Sequence, residues 1–197
     1  EDFRGPVLDT LRDLKRQGLV GAIGLAGTTP YRLARIMRTG DFDAVLTAFN
    51  YCPLYREAVH EIFPVARSLD MGVMAGSPLR QGYFATRRDD LLRSEPPWMP
   101  PPRRHQFLAL YRLLDEIGME IADFSMRFML SHPDIHTIVT GSRDVRELER
   151  NIASVERGPL PPDVLARLDE IYRMVPFPPQ EEPFIMPFGG IYERRKV

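Results

Sequence analysis

Apolar residues recur at helical spacing in Val7, Leu8, Leu11 and Leu14, after Pro6 and before Gly18. That pattern predicts a helix with one buried stripe and a glycine stop. The next stretch, Val20 to Leu25, is short, apolar and dotted with glycine, and predicts a strand that turns at Ala26, Gly27 and Thr28. Thr29 then stands as N-cap of a helix whose first residue is Pro30 and whose buried side carries Leu33, Ile36 and Met37. The alternation repeats. Ala44 to Phe49 reads as a buried strand, and Ala58, Val59, Ile62, Val65, Ala66 and Leu69 as a helix that Pro64 either starts late or kinks. Gly72 to Ala75 is a third strand, running into Ser77-Pro78-Leu79.

Beyond it the period breaks. Residues 80–103 hold Arg-Gln-Gly and then Glu95-Pro-Pro-Trp-Met-Pro-Pro-Pro102, a stretch too rich in proline for regular structure. It reads as a long loop, and long ordered loops in compact domains are more often functional than idle. Phe107, Leu110, Tyr111, Leu114 and Ile117 mark a helix ended by Gly118, and Ile121, Ala122, Ser125, Phe128 and Met129 a second. Thr137 to Thr140 is a fourth strand, closed by Gly141-Ser142-Arg143. Val145, Leu148, Ile152 and Val155 form the apolar side of the helix after it, and Val164, Leu165, Leu168 and Ile171 that of a last helix. Residues 176–197 read as an irregular tail rich in Pro and Phe.

Strands alternating with amphipathic helices imply an α/β protein with a parallel sheet buried on both faces. Two architectures fit: an open doubly wound sheet, or part of a (β/α)8 barrel, which needs eight strands where the pattern supplies four. The pattern leaves both open.

The 197 residues suffice for one folded unit. Lys plus Arg (26) nearly cancels Asp plus Glu (27), so no broad field draws in nucleic acid or an anionic membrane. A small molecule or another protein is the expected partner. Cys52 is the single cysteine, which forbids an intrachain disulfide, and no apolar run approaches the ~20 residues of a membrane span. A cytoplasmic location is the expectation. Glu1 in place of Met, directly ahead of helical pattern, is the start expected of a truncated product.

In either architecture ligands gather at the C-terminal ends of the strands. The segments there are Ala26-Gly27-Thr28, Asn50-Tyr51-Cys52, Ser77 to Gly82, and Gly141-Ser142-Arg143. The last two combine small residues and backbone donors with an Arg, the make-up of a phosphate cradle. Arg143 opens a helix, where an anion would also sit. Gly21, Gly24 and Gly27 follow GxxGxxG spacing with two glycines inside the predicted strand, which does not match a dinucleotide fingerprint. The four histidines, His60, His105, His132 and His136, have no partners at metal-ligand spacing, and no nucleophile elbow is present.

Three segments carry a resemblance in register. Leu14-Lys-Arg-Gln-Gly-Leu-Val-Gly-Ala-Ile-Gly-Leu25 resembles the approach to the fifth strand of aldo-keto reductases, and Gly72-Val-Met-Ala-Gly-Ser-Pro-Leu79 resembles their seventh. Thr140-Gly-Ser-Arg143 with Leu148 and Asn151 is similar to the cofactor motif after their eighth. The resemblance implies a (β/α)8 TIM-barrel type with its last four βα units present, a half barrel over residues 1–197. Asp43-Ala-Val-Leu-Thr47 and the Pro96-Pro-Trp-Met-Pro100 loop resemble, more narrowly, sugar dehydrogenases of the L-galactose dehydrogenase type. Such enzymes pass hydride from an aldose to NAD or NADP.

On this resemblance Ser77, Leu79 and Gln81 line the pyrophosphate, and Gly141, Ser142, Arg143, Glu147, Arg150 and Asn151 surround the adenosine end. Ala26 and Gly27 stand where many members carry Ser-Asn, and offer the carboxamide backbone groups alone. Leu46 replaces a Gln, and Gly76 the Tyr that stacks on nicotinamide. Tyr51 and Trp98 are substrate-side candidates, with 80–103 as the substrate-side loop. A carboxylate at Glu147 would repel a 2′-phosphate, which favours NAD over NADP. The catalytic Asp, Tyr, Lys and His of the family lie on its first four strands and have no counterpart here, since the only lysines are Lys15 and Lys196. The resemblance thus implies the cofactor-binding half of an oxidoreductase acting on a sugar or other aldehyde, inactive alone. A non-catalytic half-barrel assembly module and an open sheet binding another phosphorylated ligand are the competing readings. Either the missing N-terminal half or self-association would cover the exposed edge strands.

Overall fold

The computed structural model describes residues 5–175, and the expected tail over 176–197, with Lys196, lies outside the described residues. They fall into two compact units. One contains the chain up to Tyr51 with Arg56–Gly76 and His132–Val139; the other contains Cys52–Tyr55, Ser77–Ser131 and the chain from Thr140 onward.

The first unit holds a parallel sheet of β1 (Gly24–Gly27), β2 (Ala44–Ala48), β3 (Gly72–Gly76) and β4 (Thr137–Val139), in the order β1-β2-β3-β4. Leu25 stands opposite Val45, Val45 opposite Val73, and Gly76 opposite Val139. A doubly wound sheet reverses its strand order at a switch point, whereas a (β/α)8 barrel always steps to the next position. The observed order matches the barrel winding. One face of the sheet is buried through Val45, Thr47, Val73 and Ala75. Helices α2 (Pro30–Met37) and α4 (Phe63–Ser68) pack on the strands, with Leu33, Ala34, Met37, Val65 and Ala66 buried. On the opposite face the registered row Ala26, Leu46 and Met74 stays partly or wholly exposed. Burial on both faces, expected from the sequence, is therefore not what these strands show.

The first strand begins later than Val20 to Leu25 predicts. The Asp43 carboxylate accepts from Ile23 N at 2.7 Å, Ile23 O accepts from Asp43 N at 2.8 Å, and Lys15 Nζ holds the same carboxylate at 2.6 Å. The Asp43 side chain thus occupies the Ile23 N–H, and ladder pairing starts at Gly24. Helix α1 (Pro6–Arg16) ends ahead of Gly18 as expected, but Val7 of its predicted buried stripe is exposed and Leu8 alone is buried. Pro64 does both things the sequence allows: α3 (Ala58–Glu61) stops, and α4 restarts with Pro64 in its first turn.

The second unit is helical: α5 (Asp89–Arg93), α6 (Pro101–Ile117), α7 (Ile121–Leu130), α8 (Val145–Glu156) and α9 (Pro162–Arg173). The stretch 80–103 is more regular than its prolines predict, with a 3-10 turn at Arg80–Gly82, helix α5, and α6 starting at Pro101. Proline at the first helical positions costs nothing because the N–H it lacks has no intrahelical partner there. Buried Gln106 of α6 donates to the carbonyls of Ile171 and Tyr172 at 3.0 Å, tying α6 to the last turn of α9. The larger departure is α8. Val145, Leu148, Ile152 and Val155, the apolar side read from the sequence, are all exposed, while Asn151 and Ser154 are buried. Periodicity locates an apolar stripe, but tertiary neighbours decide which side is covered.

Candidate functional site

In the first unit the strand ends are tightly made. At the end of β1, Ala26 is exposed, and a Cβ on Gly27 would lie 3.1 Å from Leu33 Cδ2, so the absence of a side chain lets α2 close on the strand. After β2, Phe49 takes a left-handed φ of 67°. Asn50 Nδ2 donates to Thr47 Oγ1 at 2.8 Å, and Asn50 O accepts from Ala58 N at 2.9 Å. That turn delivers Tyr51 into an aromatic cluster, edge-on to Phe63 at 5.3 Å and to His132 at 5.1 Å between ring centroids. Burial pushes the His132 imidazole below its ordinary pKa, against the opposing pull of Asp134. Lys15 is engaged by both oxygens of Asp43, and its ammonium, with the Ile23 N–H, holds that carboxyl below its usual range.

In the second unit, the segment after β3 runs through three left-handed residues, Ser77 (φ 62°), Arg80 (φ 41°) and Gln81 (φ 46°). Pro78 O accepts from Ser125 Oγ of α7 at 2.6 Å, which fixes the turn, while Ser77 and Leu79 are half-buried and Gln81 is exposed. Arg80 is buried with its guanidinium 3.5 Å from the Tyr55 ring centroid, and Arg103 lies over the same ring at 4.3 Å. Two arginines stacked on one buried tyrosine were not legible in the sequence, because the three residues are distant along the chain.

After β4 the chain enters α8 through exposed Gly141, Ser142 and Arg143. Asp144 caps the helix by accepting from Glu147 N at 2.8 Å. Glu147 reaches back: its Oε2 accepts from Arg143 N at 2.9 Å and its Oε1 from Arg143 Nε at 3.0 Å. The Arg143 guanidinium first, and its N–H second, pull the Glu147 carboxyl down to about 2. Asn151 Nδ2 donates to Ser142 Oγ at 3.1 Å. Sequence reasoning passed over Asp144, although Asp144-x-x-Glu147 is the spacing of a capping box.

The fold therefore makes two hydrogen-bonded pairs at the start of α8, Ser142 with Asn151 and Arg143 with Glu147, with exposed Arg150 on the same helix. Ser77 and Thr140 leave neighbouring strand ends, since Gly76 pairs with Val139. Ala26, Gly27 and Tyr51 belong to the other unit. Trp98 is half-buried in the segment between α5 and α6, and the neighbouring Met99 is buried. Among the described residues no group of three His, Cys, Asp or Glu side chains is placed to hold a metal ion, and no helix is long and apolar enough to cross a membrane.

Parallel strands wound in one direction with helices between them define an α/β protein of the (β/α)-barrel type. The Aldo/keto reductase family model matches residues 5–173, and the chain belongs to that family. It is similar to L-galactose dehydrogenase of Arabidopsis thaliana, 24% identical over 154 residues, covering 75% of this chain and 46% of the relative. D-threo-aldose 1-dehydrogenase of a Pseudomonas species is 24% identical over 173 residues, covering 85% and 51% respectively. The solved aldo-keto reductase AKR11C1 from Bacillus halodurans (holo form) superposes with a TM-score of 0.65 at 17% identity, over 84% of this chain and 56% of that one, a likeness of fold. The chain spans about half the length of the curated relatives it matches.

Proposed function

We propose that this chain is the cofactor-binding half of an NAD(P)-dependent aldo/keto reductase-type oxidoreductase, acting on an aldose or another aldehyde or ketone in the cytoplasm. The observation that carries the reading is the start of α8, where the pairs Ser142–Asn151 and Arg143–Glu147 stand at a helix N-terminus. A helix N-terminus attracts anions through its unpaired N–H groups and dipole. The loop is open at Gly141, where a Cβ would meet nothing within 4 Å. In this reading Gly141, Ser142, Arg143, Glu147, Arg150 and Asn151 receive the adenosine end, and Ser77, Leu79 and Gln81 the pyrophosphate. Ala26 and Gly27 contribute backbone groups to a carboxamide, and Tyr51 and Trp98 serve the substrate. A bound nicotinamide supplies the hydride chemistry; these residues bind and orient it.

NAD is the preferred form. The Glu147 carboxylate holds Arg143, so a 2′-phosphate there would meet a negative charge and compete for the same guanidinium. We place the proton-transferring Tyr, Lys, Asp and His on polypeptide outside these four βα units, which correspond to the last four of eight. Lys15 is committed to Asp43 and does not fill the role of the catalytic lysine. The exposed edges β1 and β4 are where we place the join to the remaining strands.

Calorimetric titration with NADH and NADPH tests the reading. NADH binds about tenfold more tightly, a difference of ~1.4 kcal/mol, and Glu147→Gln narrows the gap. Failure of both dinucleotides to bind overturns it, and aldose-dependent NADH formation by the chain alone overturns the assignment of catalysis to other polypeptide.

A further inference from the structure

The turn after β3 is bent in a way its residues do not favour by themselves. Arg80 and Gln81 are consecutive side-chain-bearing residues in the left-handed region, at φ 41° and 46°, and Gly82 follows at φ 109°. Such angles persist only where the surroundings over-determine them. Bonds from Arg80 N to Ser77 O at 2.9 Å and from Gly82 N to Leu79 O at 3.0 Å close the turn, but backbone groups of any sequence could make them. What the side chains add is a buried ring. The Arg80 guanidinium lies 3.5 Å from the Tyr55 centroid and 5.9 Å from that of Tyr83, and all three residues are buried. The Tyr55 ring is itself a fixed platform. Tyr55 exchanges two backbone hydrogen bonds with Cys52, at 2.7 and 3.2 Å, and Arg103 of α6 lies over the ring at 4.3 Å while donating to the Leu54 carbonyl at 3.1 Å. All of these residues belong to the second unit. Arg80 turns into that unit, and its neighbour Gln81 is left exposed.

We infer that Arg80 is a positioning residue for the cofactor: stacked on Tyr55, it holds the Arg80-Gln81 backbone in the bent form that presents Gln81 to the pyrophosphate. The inference rests on the reading of Ser77, Leu79 and Gln81 as the pyrophosphate segment, and adds what sets the shape of that segment, a ring delivered by the loop after β2. A guanidinium is planar, keeps its charge when buried and stacks on an aromatic face, so the contact fixes the orientation of the Arg80 side chain as well as its depth. A turn held in its binding form before the ligand arrives has less ordering to lose on binding. Arg80 acts through the backbone of its neighbour and does not itself touch the ligand.

The test is calorimetric titration of the purified chain with NADH, in the wild type, Arg80→Ala, Tyr55→Leu, their double variant and Tyr55→Phe, with a urea midpoint for each. Arg80→Ala and Tyr55→Leu each weaken NADH binding about tenfold, while Tyr55→Phe, which keeps a ring for the guanidinium, stays within about twofold of the wild type. The double variant binds no more weakly than either single one, the non-additivity of two residues that act through one contact. In the unliganded chain, amide exchange at Gln81 and Gly82 speeds up in Arg80→Ala and Tyr55→Leu and not in Tyr55→Phe. If Tyr55→Leu does not fold, Arg80→Ala and Tyr55→Phe carry the comparison. A lower urea midpoint with NADH affinity and these amides unchanged is the mark of a purely structural contact and overturns the inference, as do additive losses in the double variant. Absence of NADH binding by the wild type overturns the cofactor reading and this inference with it, whereas wild-type binding with unaltered variants overturns this inference alone.

Discussion

Glu147 accepts from the Arg143 N–H and guanidinium together, which takes its carboxyl from an ordinary 4.5 to about 2. A carboxyl depressed in the fold stabilises it fully above the unfolded value and loses that contribution as pH falls through about 2. An NMR titration of the Glu147 side chain therefore has its midpoint near 2, and Arg143→Gln moves the midpoint upward toward 4.5. His132 runs by the same linkage. Burial lowers its folded pKa beneath 6.5, so the unfolded chain takes up the proton first and stability declines as pH drops below about 6.5 toward the folded value. Urea unfolding of the wild type loses stability as pH falls below about 6.5, and His132→Phe, which keeps a ring against Phe63, flattens that part of the profile. Arg143 was legible from its place at the start of a helix and Glu147 from the resemblance, whereas their ion pair emerged with the structure, although a four-residue spacing on one helix makes the two neighbours. The place of His132 in an aromatic cluster was not legible, because its contact with Tyr51 joins residues distant along the chain.

At the scale of elements, turn chemistry and caps carry the boundaries. Asp144→Ala removes the bond to Glu147 N and costs about 1 kcal/mol, read as a shift of the urea midpoint at unchanged slope. Gly118 ends α6 in the left-handed region at φ 64°, so Gly118→Ala costs about 1 kcal/mol in the same assay. The glycine stops at Gly18 and Gly118, the Pro30 start and the break at Pro64 were all readable, since each is a local backbone constraint. Two elements depart from the expectation, one for a non-local reason and one because a local signal is ambiguous. Asp43, bridging Lys15 and Ile23 N, delays β1, and proline at the head of α6 looked like loop because proline both breaks helices and begins them.

For the molecule, the sheet predicts its own gradient of protection. Val45 and Val73 lie on central, buried strands, whereas Leu25 and Ile138 lie on the edges β1 and β4. Amide exchange is slowest at Val45 and Val73 and at least about tenfold faster at Leu25 and Ile138. A flat profile across the four strands would contradict the edge assignment. The sequence by itself determined the alternation of strand and helix, and three segments in register pointed to the family that residues 5–173 match. It also placed the small residues and Arg143 at strand ends. Only the tertiary structure decided that the strands step in one direction, that Lys15 belongs to Asp43, and that the apolar stripe of α8 faces outward. Spacing along a chain is fixed by the geometry of a few consecutive bonds, so it survives in the sequence. The side of a helix that is covered, and the partner a charge finds, depend on residues brought close by folding alone.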